Sequence, residues 1–91
     1  MIDSVLAVPY RPGVQNDDRK AERRAAVGRR IRELRQSRGL TQQDLATRSG
    51  LARSYIASLE TGDRNISNDA LWALADAFGL TPAAFYLGSE R

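Results

Sequence analysis

Residues 40–62 read LTQQDLATRSGLARSYIASLETG, and this stretch decides the fold. Thr41 is a residue type that closes a helix start by accepting a hydrogen bond from a backbone N–H, and Asp44 stands three residues on, where a capping box reaches back. The helix so opened ends at Gly50, nine residues later, because glycine takes the left-handed backbone that a β-carbon resists. A second short helix follows almost at once, over about 52–61, and stops at Gly62. Ala46 is small where the second helix must cross the first. Leu45, Leu51, Ile56 and Leu59 fill the angle between them, with Tyr55 or Ala52 as a further inward residue.

Two short helices joined by a glycine-centred turn form a helix-turn-helix unit, and the rest of the chain builds outward from it. Upstream, Val27, Ile31 and Leu34 recur at i, i+4, i+7, one apolar stripe on a helix expected over 18–37. Asn16, Asp17 and Asp18 suit its positive end. Gly28 weakens its middle by about 1 kcal/mol relative to alanine, and Gly39 closes it. Downstream, Ser67 caps a helix reaching Phe78 whose stripe is Leu71, Leu74, Ala75 and Phe78, with Gly79 beyond it. Thr81 as cap and Pro82 at the first helical position open a short fifth helix that ends near Gly88. Residues 1–16 hold Pro9 and Pro12 and read as a non-helical arm; 17–88 read as one all-α domain of five helices.

Composition narrows the function classes. The chain has 91 residues, room for one compact domain, and no apolar run long enough to span a bilayer. The segment 1–6 lacks a basic n-region and carries Asp3, a poor secretory signal, so a cytoplasmic location is expected. With no cysteine and no histidine, disulfides, the usual metal ligands and the usual general base are all missing. No cofactor, no metal and no catalytic residue is expected, and the protein does not read as an enzyme. The net charge is +3, but residues 19–62 carry eleven Lys/Arg against four Asp/Glu, and each flank is net negative. Of the 14 basic residues 13 are arginine, the side chain whose planar fork suits phosphates and guanine edges. A solvated arginine-rich helix would give the same charge, so charge alone does not decide.

The stretch GLTQxxLA, the SYIASLETG of the following helix and the RNIS…LxxLAxxFGL exit resemble the Cro/Xre/lambda-repressor-type helix-turn-helix family over about 27–87. Within it the wording is most similar to the restriction–modification controller proteins. One departure stands out: the family commonly places Ser or Thr where this chain has Ala52, and losing such a cap costs about 1 kcal/mol.

The resemblance implies a five-helix, lambda-repressor-like fold and a transcriptional regulator that binds a palindromic duplex-DNA operator as a homodimer. By position it places Arg53, Ser54, Ala57 and Ser58 against base edges, with Arg53 bidentate to guanine as the leading reader. Gln42 resembles the family glutamine that grips a phosphate beside a helix N-terminus. Arg35, Arg38, Arg48, Tyr55 and Arg64 are further phosphate candidates, Tyr55 standing equally well as a core residue, and Glu60 is expected to pair with an arginine. Leu80, Phe85, Tyr86 and Leu87 offer more apolar surface than so short a last helix needs and, with Trp72 bordering them from beside the stripe of the preceding helix, read as a dimer interface; in the competing reading helix 5 only caps the monomer core. RNA polymerase or a toxin are protein partners the resemblance allows. An antitoxin-like module is the alternative, with little spare chain to hold a partner. A single-strand coater lacks its aromatic platform.

Overall fold

The computed structural model describes residues 16–87, with side chains from 18 to 86. Five helices follow one another: α1 (Asn16–Ser37), α2 (Gln42–Ser49), α3 (Arg53–Glu60), α4 (Asn68–Phe78) and α5 (Ala84–Leu87), with no strand among the described residues. The expected fold class holds. The expected arm over 1–16 lies almost wholly outside the described residues, apart from Asn16, which opens α1.

The apolar stripe of α1 is the floor of the core. Val27, Ile31 and Leu34 are all buried, and over them close Leu45 and Ala46 of α2, Ile56 and Leu59 of α3, and Leu74, Ala75 and Phe78 of α4. A large aliphatic side chain buried this completely stabilises the fold by about 1.5–3 kcal/mol. The stripe works because α3 comes very close to α1. A β-carbon placed on Gly28 would lie 2.2 Å from the Leu59 carbonyl oxygen and 2.9 Å from that of Glu60. The glycine that weakens the helix on propensity is therefore the seat on which the end of α3 rests.

The caps follow the sequence. Thr41 Oγ1 accepts from the Asp44 N–H at 3.0 Å, and the Thr41 N–H donates to Asp44 Oδ2 at 2.9 Å, a complete capping box. Gly50 ends α2 at φ 76°, and its N–H donates to the Ala46 carbonyl at 2.9 Å. Ser67 Oγ accepts from the Ala70 N–H at 3.1 Å and starts α4 at Asn68. Ala52 stands at the N-cap of α3 with no side-chain hydrogen bond.

Helix α5 departs from expectation. Its regular part begins at Ala84 rather than Pro82, and the Ala84, Phe85 and Tyr86 N–H groups donate to carbonyls three residues back, at 3.0–3.1 Å. The tight turn drives Phe85 inward to 0% exposure, where its ring meets Phe78 at 6.1 Å between centroids. This corrects the assignment of Phe85 to a dimer surface: the side chain completes the monomer core. Arg30 Nε donates to the Ala84 carbonyl at 3.0 Å and ties α5 to α1.

Two outcomes are expected. On propensity alone Gly28→Ala would stabilise α1 by about 1 kcal/mol, whereas the clash with α3 predicts a loss of roughly 2–3 kcal/mol; urea unfolding decides between the signs. The hydrogen bonds from Thr41 hold the Asp44 carboxyl below its ordinary value. A lowered folded value means the contribution of this carboxylate is complete above the unfolded pKa of about 3.9 and lost as pH falls through the folded one. The stability gap between wild type and Asp44→Ala should therefore narrow on acidification, measured by thermal melts down a pH series.

Candidate nucleic-acid interface

Glu60 is the last residue of α3, where the helix dipole places negative partial charge, and its side chain is only 3% exposed. A carboxylate buried there needs a cation. Arg35, in the last turn of α1, supplies it: Nε donates to Glu60 Oε2 at 2.7 Å and Nη2 to Oε1 at 2.9 Å, while Nη1 donates to the Leu40 carbonyl at 2.9 Å. The hydrogen bonds to Glu60 raise the Arg35 pKa further, against the opposing effect of burial. All three nitrogens of this guanidinium are engaged inside the protein. Arg35 is thus not a phosphate contact, and the expectation that Glu60 pairs with an arginine is met by it.

The network continues to the surface. Gln42 Nε2 donates to Glu60 Oε1 at 3.1 Å, and Arg53 Nη1 donates to Gln42 Oε1 at 3.1 Å. Only one amide orientation satisfies both partners, because a carboxylate accepts and a guanidinium donates. Arg53 and Glu60 stand seven residues apart, two turns along one face of α3, and Gln42 at the first position of α2 spans them. An exposed arginine is thereby connected through one amide to a buried ion pair.

The other expected contacts divide by their bonding. Ser54 is exposed and Ala57 half-buried on the outer side of α3. Ser58 returns its hydroxyl proton to the Ser54 and Tyr55 carbonyls, at 3.1 and 2.9 Å, leaving only lone pairs to offer. Arg48 is exposed at the end of α2. Arg64 is exposed in the α3–α4 loop with its guanidinium 5.6 Å from the centre of the Tyr55 ring. Tyr55 is half-buried against the core and its hydroxyl accepts from the Ser67 N–H at 3.2 Å, so the side chain is first a brace for the start of α4. Arg38 donates to the Leu34 and Phe78 carbonyls, each at 3.3 Å, and stacks over the Phe78 ring at 5.1 Å. It bridges the C-terminal ends of α1 and α4 while remaining exposed.

Of the apolar residues assigned to an interface, Trp72 and Tyr86 remain at the surface, 53% and 39% exposed. Leu80 packs partly on the core, and the Leu87 side chain lies outside the described residues. Among the described residues no cluster of acidic or other donor side chains could hold a metal ion.

The sequence pattern of a helix-turn-helix family matches residues 31–85, from the middle of α1 through Phe85 of α5. The chain belongs to this helix-turn-helix family. Its helix-turn-helix relatives include an uncharacterized HTH-type transcriptional regulator, y4dJ, of Sinorhizobium fredii, 41% identical over 58 residues that make up 64% of this chain and 75% of that one. The control protein C.BamHI of Bacillus amyloliquefaciens is 35% identical over 60 residues, 65% of this chain and 74% of that protein. Among solved structures, the restriction–modification controller protein C.AhdI from Aeromonas hydrophila superposes with a TM-score of 0.68 at 41% identity, covering 69% of this chain and 96% of that one. Other curated relatives are longer, and the chain spans 40–59% of three of them. In this helix-turn-helix frame the Gln42 bridge was not legible beforehand; its one signal was the seven-residue spacing of Arg53 and Glu60.

The buried pair makes a sharp prediction. Removing one partner strands the other, so Glu60→Ala should lose about 3–5 kcal/mol of stability, whereas the double replacement Arg35→Met with Glu60→Leu should recover most of it. Chemical denaturation of the two single variants and the double measures this directly.

Proposed function

We propose that this chain is a sequence-specific, duplex-DNA-binding transcriptional regulator of the restriction–modification controller type, acting in the cytoplasm as a homodimer on a palindromic operator. The observation that carries the reading is the outer face of α3, where Arg53 projects from the first turn and is held by Gln42, which is itself held by buried Glu60. An arginine steadied in this way can present two parallel donors to guanine O6 and N7. Ser54, Ala57 and Ser58 lie along the same helix and complete the reading face, Ser58 as an acceptor and Ala57 as a contact for a thymine methyl.

Phosphates fall to the periphery. The capping box occupies the Thr41 and Asp44 N–H groups, leaving those of Gln42 and Gln43 at the positive end of α2. Arg48 and Arg64 flank the reading face, and Tyr55 retains its own hydroxyl proton for a backbone oxygen. One α3 reads only a few base pairs, so a two-fold pair of subunits is required for an operator of useful length. Among the described residues Trp72 and Tyr86 are the exposed aromatic side chains that could make that contact, with Leu80 at its edge. The names of the relatives, regulators and controllers among them, support the same class.

Sites selected from random duplex DNA should form an inverted repeat, and affinity should fall steeply with salt as arginines release counterions. Arg53→Ala should flatten preference at one symmetric pair of positions, a loss of ~1–3 kcal/mol of discrimination per site, while leaving the salt slope nearly intact. Gln42→Ala should lower affinity for all sequences and also lose part of the preference of Arg53. A uniform loss for Arg53→Ala with a slope reduced by about one would make it a phosphate clamp. Sedimentation should show a dimer at micromolar concentration that Trp72→Ala weakens.

A further inference from the structure

Between α1, the α3–α4 loop and α5 lies an open cleft of about 220 Å³ that the reading face does not use. Arg23, Arg24 and Arg64 line it together with Asn65, and among the described residues no Asp or Glu does. Its floor is apolar: Val27 and Leu59 are buried, Ile66 is half-buried, and the partly exposed ring of Tyr86 forms one side. Arg24 is anchored, its Nε donating to the Gly62 carbonyl at 3.2 Å. Arg23 is exposed and makes no hydrogen bond or ion pair with another described residue.

Three arginines around one apolar floor, with no Asp or Glu among the described lining residues, favour an anionic occupant. A bare inorganic ion would satisfy the guanidiniums and leave the floor wet. A molecule with an anionic head and a flat apolar body matches both halves, and the volume holds roughly ten non-hydrogen atoms, smaller than a drug-sized ligand. The geometry points to this cleft as a binding site for a small organic anion, an aryl or alkyl phosphate or carboxylate, whose occupancy draws Arg64 away from DNA. Arg64 is the link because it lines the cleft and also flanks the reading face. This coupling rests on the DNA-binding reading above; the cleft itself does not.

The test uses the full-length chain and phenyl phosphate. In an amide chemical-shift titration without DNA, phenyl phosphate should give saturable shifts centred on Val27, Leu59, Ile66 and Tyr86, and bind at least about tenfold tighter than inorganic phosphate. Arg23→Gln, a surface change, should weaken binding by about tenfold or more, and Arg23→Lys should restore part of it. Equal affinity for the two probes, non-saturating shifts spread over all arginines, or an unaltered titration in Arg23→Gln would overturn the site. On duplex DNA, phenyl phosphate should raise the apparent Kd of wild type and leave that of Arg23→Gln unchanged. If Arg23→Gln alone weakens DNA binding uniformly and lowers the salt slope, the cleft is a seat for the DNA backbone and the proposal fails. A chain that binds no DNA at all would defeat the regulator reading while the titration still judged the cleft.

Discussion

The ion pair between Arg35 and Glu60 is the constraint on which the remaining geometry depends. A carboxylate at the negative end of a short helix, shielded from water, is tolerable only with a bidentate cation beside it. That cation comes from the last turn of α1, where positive charge is favourable, so one contact satisfies two helix ends and sets how α3 lies on α1. Gly28 permits the approach by leaving room for two backbone carbonyls. Glycine and ion pair together define a pivot, and the apolar stripe of α1 then closes beneath it.

From the pivot the order passes outward through a single amide. Gln42 belongs to α2, Glu60 and Arg53 to α3, and the capping box fixes the start of α2 on which Gln42 stands. The relative placement of the two helices is therefore registered in the same network that orients the outermost arginine. This is how a chain with a core of modest size presents a long, flexible side chain in a defined position.

Most of the frame was legible in the sequence because it rests on local rules. Thr41 and Ser67 mark helix starts by a side-chain oxygen that accepts from the backbone, Gly50 and Gly79 mark helix ends by their left-handed backbone, and Val27, Ile31 and Leu34 mark the core by spacing alone. What was not legible was the division of labour among arginines. Arg35 and Arg53 carry the same charge on neighbouring helices, and only the packed structure shows that one is enclosed by Glu60 and Leu40 while the other faces out. Phe85 is hard to place from sequence for a related reason: a short last helix gives too few residues for a stripe, so the tight turn after Pro82 decides which ring goes inward. The weak glycine of α1 likewise had a reason that lay on another helix.

Ala52 opens α3 without a side-chain acceptor, unlike Thr41 on α2 and Ser67 on α4. The first turn of α3 is consequently secured by packing behind it and by Gln42 in front, and its leading amides have no side chain to close them. Fraying costs least at such an end, so hydrogen exchange in the folded protein will be fastest at the tip of the helix that carries Arg53. The element that must conform to a surface is rigid at its rear, where Glu60 is locked, and adjustable at its front.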